Sequence, residues 1–274
     1  SLVAAGLRWA RFRGWSDTYT FTKAMGEQIL MRYRADLPIV VIRPAIIEGA
    51  MRSPEPGWLD GFRMLDPLIV AYGRGALPDF PGNPQTILDI VPADLVVNAL
   101  LAIIPEARPM NNAPVYHVAS GMENPITLKE FTDLVQGYFR KEGLTRRGSG
   151  SRTLPEITFP SRKYFLKRIK TYLFAARIGE AFLALLLISR WGKRIQAAIR
   201  SRRTSLERLE YYVRIYGPYA EVRCQYLTLQ ARRVWDSLSA DDQLRFPFDV
   251  TAVKWEEYVQ EIYIPGIKRF LLGI

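Results

Sequence analysis

Cysteine and histidine are nearly absent: the 274 residues hold one of each, Cys224 and His117. A lone cysteine excludes a disulfide within the chain and fits a reducing compartment. A lone histidine excludes a paired-histidine metal site, and no metal is expected. Long apolar runs are missing as well. The longest, Ala181–Ile188, has eight residues, where a membrane-spanning helix needs roughly 20. Arg177 and Glu180 interrupt the apolar stretch before it, so no transmembrane helix is expected. No charged stretch with an apolar core and cleavage site opens the chain, so no secretory signal is expected. Glycines do not form a pyrophosphate-binding turn after a strand-like run. The pair Gly73-Arg74-Gly75 follows a helical pattern and reads as a turn.

Basic charge is plentiful but local. The net charge is +11, and the segment Arg162–Arg203 alone carries twelve Lys/Arg against one acid, Glu180. The remainder is neutral. With no zinc-ligand spacing and no basic-zipper heptads, the charge is not read as a nucleic-acid footprint. Basic clusters on both sides of a short apolar stretch suit a helix lying on an anionic membrane surface. They also suit the phosphates of a CoA ester, an acidic carrier protein, or a buried helix with solvated ends. The localisation expected is cytoplasmic with membrane association through Arg162–Arg203.

With 49% apolar and 24% charged residues, the chain is an ordinary globular one, long enough for one large or two modest domains. Residues 1–14 read as a loop or a broken helix. A helix is expected from Asp17 to Ala35, capped by Asp17 or Ser16, with Met25, Ile29 and Tyr33 on its buried side. Ile39–Ile42 reads as a buried parallel strand that Pro44 stops, followed by a loop to Asp60. A helix over Gly61–Tyr72, a strand over Thr86–Val91, a helix over Pro92–Ile104 and a strand over Val115–Ala119 follow. Thr127 and Glu130 form a capping box for a helix from Leu128 to Arg140. Arg146–Ser151 has the composition of a linker, and beyond it strand patterns give way to helical ones. The domain boundary is expected there, dividing 1–148 from 149–274.

The chemistry is expected at Tyr19 and Lys23. Four residues apart on a helix, they share one face. A neighbouring ammonium favours a phenolate, so such a phenol can give a proton to a carbonyl oxygen, or take one from an alcohol, near neutral pH. Asp89 and Asp94 read as a helix cap or arginine partners, His117 as a structural histidine and Cys224 as buried filler in a helix. Trp58 reads either as a lid over the core or as a wall of a substrate path. Arg43 has no role that the sequence assigns.

The spacing alone is common, and its flanks supply the specificity. The run Asp17-Thr18-Tyr19-Thr20-Phe21-Thr22-Lys23 resembles the active-site helix of the fatty acyl-CoA reductase, or male-sterility, family of extended short-chain dehydrogenases. Val41–Ile47, Pro56-Gly57-Trp58, Asp89–Asn98 and Tyr116–Ser120 are similar to that family in the same order, as is the close around Phe246–Val250, Trp255, Tyr258 and Gly266. The resemblance implies an α/β fold: the C-terminal part of a Rossmann-like parallel-sheet domain over 1–148, then a mainly helical C-terminal domain over 149–274. It implies NADPH as cofactor, long-chain acyl-CoA as substrate, and a fatty aldehyde or fatty alcohol as product. Tyr19 would be the proton donor and Lys23 would hold the nicotinamide ribose. The backbone of Pro44, Ala45, Ile46 and Ile47 would run along the nicotinamide. The dinucleotide turn and the Ser or Thr that accompanies the Tyr in related enzymes have no counterpart here, so the residues resemble the C-terminal portion of a longer reductase. Another extended dehydrogenase, such as a carrier-protein thioester reductase or a sugar-nucleotide epimerase, and a non-catalytic membrane-binding remnant remain open.

Overall fold

The β-branched run before Pro44 forms strand β1, Val41–Pro44, in the computed structural model of the chain. The structure describes residues 2–75, 79–108, 113–142, 154–186, 190–216 and 224–274. β1 ends at Pro44 as expected, though it is half-buried to exposed rather than buried; after Ala45 the chain continues as β2, Ile46–Glu48. The reason is a change of partner that wastes no donor. β1 pairs in parallel with β4, Val115–Val118, and β2 pairs in parallel with β3, Ile90–Pro92. Between them, Ala45 N–H donates to Val118 O at 2.9 Å and Ile46 N–H to Asp89 O at 3.0 Å. Proline, which has no N–H to give, is tolerated at the end of β1.

The chain divides into two compact units, and both are discontinuous in sequence. The first comprises Ser1–Asp60, Ile87–Ile126 and Cys224–Gly273. It holds the parallel pairs with helices α1, Leu2–Phe12, α2, Thr18–Tyr33, α4, Ala93–Ile103, and α8, Leu229–Ser237. The helix α1 runs unbroken where a loop or a broken helix was expected over 1–14. A closing helical run over 255–272 buries Tyr258, Val259, Tyr263, Ile264 and Ile267. Tyr258 donates from its hydroxyl to Gly49 O at 2.6 Å, and Tyr263 to Glu48 Oε2 at 2.7 Å, so the run is seated on the end of β2.

Asp94 neither caps its helix nor pairs with an arginine side chain. Its carboxylate accepts from the backbone N–H groups of Met51 at 2.8 Å, Arg52 at 2.7 Å and Ser53 at 3.1 Å. One buried charge thus orders the loop leaving β2 by satisfying three donors. Asn98 and Asn124 do the same for the C-terminal segment, donating to Pro247 O at 2.9 Å and to Val250 O and Val253 O at 2.9 and 2.8 Å.

The second unit comprises Gly61–Thr86 and Thr127–Arg223, with Ile274. It is helical: α3, Asp66–Gly73; α5, Leu128–Lys141; α6, Arg162–Leu186; and α7, Arg190–Tyr216. The capping box of α5 has both bonds, Glu130 N–H to Thr127 Oγ1 at 3.1 Å and Thr127 N–H to Glu130 Oε2 at 2.8 Å. Phe165, Ile169 and Leu173 of α6 form a core with Val213 of α7. The start of α6 meets the end of α7, so the two form an antiparallel hairpin. The acids inside the hairpin are taken up locally, Arg203 bonding both Glu180 and Glu207 at 3.1 Å, while Arg168 of α6 pairs outside the hairpin with buried Asp79. Among the described residues, no helix is long and apolar enough to cross a membrane. The expected linker, Arg146–Ser151, lies outside the described residues.

Candidate active site

Helix α2 is phased by its cap. Asp17 sits extended, and its Oδ1 accepts from Thr20 N–H at 2.8 Å and from Thr20 Oγ1 at 3.0 Å. That start puts Tyr19, Lys23 and Glu27 in one row, four residues apart. Tyr19 is 67% exposed, and Lys23 is exposed beside it. The buried side expected from Met25, Ile29 and Tyr33 is not there: these are 42%, 54% and 72% exposed, and α2 buries no residue. Periodicity states which residues share a face. It does not state what covers that face.

The row meets the strands at its far end. Arg43 Nε donates to Glu27 Oε1 at 3.1 Å, and Arg43 Nη2 donates to Glu27 Oε2. Glu27 is one turn beyond Lys23 and Arg43 is one residue before Pro44. The structure therefore brings the helix carrying Tyr19 and Lys23 to the carboxyl end of β1, where ligands bind in parallel α/β sheets. The link itself uses neither residue. Over Pro44–Ile47 the backbone amides of Ala45 and Ile46 are committed to neighbouring strands. Pro44 and Ile47 are exposed, and Ala45 and Ile46 half-buried.

Sequence reasoning gave no site role to the polar groups that flank this end of the sheet. Arg43 stands in register with His117, and His117 stacks on Tyr226 with centroids 5.6 Å apart. Burial first, then Cys224 and the charge of Asp89, push the Tyr226 hydroxyl above the usual phenol range. Asp89 Oδ1 accepts from Ser120 N–H at 2.7 Å and Gly121 N–H at 3.1 Å, while its Oδ2 is buried without a hydrogen-bond partner. Burial therefore raises the Asp89 carboxyl above its ordinary value against those bonds. Gly121 is needed there, since a Cβ would lie 2.7 Å from that oxygen. Cys224 is exposed and outside any helix, not buried filler. Trp58, at 39% exposed, is only a partial cover. Glu27 was legible as a third member of the row; Arg43 and Tyr226 carried no local signal.

A cavity of about 20 Å³ lies by His117, Glu123, Arg232 and Trp235. It has room for about one water, so it is not a cofactor or acyl site. Among the described residues, no group of His, Cys, Asp or Glu could hold a metal ion.

Two stretches, residues 4–100 and 181–273, match family profiles that are both described as male sterility protein, the first being the NAD-binding one. The chain belongs to the male sterility protein family. Curated relatives in this family bear reductase names. Fatty acyl-CoA reductase 2, chloroplastic, of Arabidopsis thaliana is 33% identical over 97% of this chain and 44% of its own length. The alcohol-forming fatty acyl-CoA reductase of Simmondsia chinensis is 32% identical over 98% of this chain and 55% of its own length. Fatty acyl-CoA reductase 2 of Homo sapiens is 29% identical over 95% of this chain and 48% of its own length. The chain spans about half the length of the curated relatives it matches. The first male sterility match contains α2 and β1 to β3; the second contains α7, α8 and the closing helical run. The α/β class with a helical remainder is thus what the chain has.

Proposed function

We propose that the chain supplies the proton-donating site and the C-terminal region of an NADPH-dependent fatty acyl-CoA reductase. The observation that carries this reading is the exposed Tyr19–Lys23 row on α2, brought to the carboxyl end of β1. A phenol and an ammonium on one open face fit the nicotinamide ribose and a carbonyl oxygen. Lys23 would hold the ribose with Tyr19 beside it, and Pro44, Ala45, Ile46 and Ile47 would lie alongside the nicotinamide. When bound, NADPH supplies the hydride. Tyr19 gives its proton to the thioester carbonyl oxygen as that carbon is reduced, and Lys23 stabilises the phenolate left behind. As the carbon–sulfur bond breaks, the new hydroxyl returns its proton to the Tyr19 phenolate, CoA leaves as the thiol with a proton from solvent, and a fatty aldehyde remains. The same donor serves a second reduction to the fatty alcohol. NADPH over NADH follows from the resemblance to the family. By the same reading, 1–148 is the reductase-domain portion and 149–274 the helical C-terminal domain.

The test is acyl-CoA-dependent NADPH oxidation by a protein that carries these residues, with released CoA thiol measured in parallel. Oxidation matched by thiol release is expected. Turnover of a sugar nucleotide instead, or none with any long-chain acyl-CoA, overturns the reading. Residues 1–274 alone contain no glycine-rich pyrophosphate turn, so by themselves they are expected to give no oxidation and no NADPH isotherm tighter than millimolar.

We also propose that Arg162–Arg203 holds the protein at an anionic membrane surface from the cytoplasmic side. Lys163, Lys167 and Lys170 are exposed in one row of α6, and Phe174 continues that row, itself exposed. Ile178 of α6 and Ile195 of α7 are exposed as well. Each surface cation adds about 1 kcal/mol of attraction to anionic lipid. Co-sedimentation with anionic vesicles should exceed that with neutral ones and fall as salt rises. Binding indifferent to both would leave these charges a solubility role only.

A further inference from the structure

Glu27 has two cationic neighbours on offer. Lys23 is one turn away on the same helix, and Arg43 lies across on β1. The structure gives the carboxylate to Arg43, through the two-bond fork of Nε to Oε1 and Nη2 to Oε2. The choice has a physical reason. A guanidinium matches a carboxylate bidentately, whereas a Lys four residues before a Glu is the weaker orientation of a helical pair. The Glu27 carboxyl is held below the usual carboxylate range first by the Arg43 hydrogen bonds, against partial desolvation, with the charges of Arg43, Lys23 and His117 adding to the effect. Lys23 is thus close enough to feel Glu27 without being bonded to it. Helix α2 buries no residue, so side-chain choices on its polar face are not overruled by core packing.

Resting on the reductase reading above, we propose that Arg43 is a positioning residue: by occupying Glu27 it keeps that carboxylate from capturing Lys23, and so leaves the ammonium available to Tyr19. Without Arg43, the strongest acceptor within reach of Lys23 is the carboxylate one turn in the wrong direction. The ammonium would be held at the Glu27 end of the row. Ribose binding and stabilisation of the phenolate would both suffer. An ordinary exposed ion pair, by contrast, contributes little to stability and has no reason to affect cofactor use.

The test uses Arg43→Gln, Glu27→Gln and the double variant, with two readouts. The first is kinetic, in a protein that carries these residues and reduces acyl-CoA. Arg43→Gln should raise the KM for NADPH and lower kcat, together costing about tenfold or more in kcat/KM. Adding Glu27→Gln should recover most of that loss, because the competing carboxylate is gone. The second readout needs no turnover: competitive acetylation of residues 1–274, with the Lys23 peptide quantified by mass spectrometry. Lys23 should label more slowly in Arg43→Gln and return to the wild-type rate in the double variant. Melting temperatures of all three should stay close to wild type. Lys23 labelling unchanged by Arg43→Gln, or a double variant as impaired as Arg43→Gln alone, overturns the proposal. Absence of reductase activity with the labelling pattern intact would instead sink the reductase reading and leave the Glu27–Arg43–Lys23 arrangement standing.

Discussion

Tyr19→Phe should reduce acyl-CoA-dependent NADPH oxidation by at least the roughly 10²–10⁴-fold that a positioned proton donor contributes, while cofactor binding and folding survive. The substitution removes one oxygen and keeps the ring. Tyr19 is 67% exposed on a helix that buries nothing, and substitutions at such positions usually change stability by no more than about 0.5 kcal/mol. Lost activity therefore cannot be lost fold. Lys23→Ala should behave differently, weakening both NADPH affinity and turnover, because in the proposed site one ammonium serves the ribose and the phenol together. Steady-state kinetics with a melting curve for each variant separates these outcomes. A Tyr19→Phe protein that turns over acyl-CoA at a substantial fraction of the wild-type rate would remove Tyr19 from the chemistry.

The largest effect on stability should come from Gly57→Ala, with Gly266→Ala close behind. The two glycines cross backbone to backbone where the closing helical run meets the loop after β2. A Cβ on Gly266 would lie 2.6 Å from Gly57 Cα, and one on Gly57 would lie 2.7 Å from Gly266 Cα. Overpacking a core costs roughly 1–3 kcal/mol when side chains can give way. Here the obstruction is main chain on both sides, so the upper end of that range or more is expected. Gly57 also has φ +75°, a left-handed conformation that costs a substituted residue about another 1–2 kcal/mol. The same crossing seats Tyr258 on Gly49 and Tyr263 on Glu48, so forcing it apart should also loosen the end of β2. Gly26→Ala is the control: a Cβ there meets nothing within 4 Å, and mid-helix alanine should stabilise by roughly 0.5–1 kcal/mol. Urea unfolding followed by tryptophan fluorescence reads all three. A Gly266→Ala midpoint equal to wild type would mean that the closing run can move away at no cost.

Local features were legible. Asp17 caps α2 and Thr127 boxes with Glu130 because a cap needs only residues three apart. The β-branched approach to Pro44 announced an extended segment, and the spacing of Tyr19 and Lys23 announced their shared face. The misreadings have a common source. Met25, Ile29 and Tyr33 form an apolar stripe, but a stripe is buried only if something packs on it. The strand before Pro44 was read as buried from its β-branched residues, yet β1 is half-buried to exposed. Cys224 was assigned to a core by residue type alone, whereas its exposure depends on the segment it occupies.

By itself, then, the sequence determined the helix phases, the caps, the parallel class of the strands and the Tyr19–Lys23–Glu27 row, each a matter of spacing within a turn or two. Only the tertiary structure decided the partners. Arg43 lies 16 positions from Glu27, Asp94 lies 41 to 43 from the amides that it collects, and Tyr258 lies 209 from the Gly49 carbonyl that it bonds. Chain periodicity sets which way a side chain points. It holds no record of what folding brings opposite, and at this site the decisive fact is which of two cations received the carboxylate of Glu27.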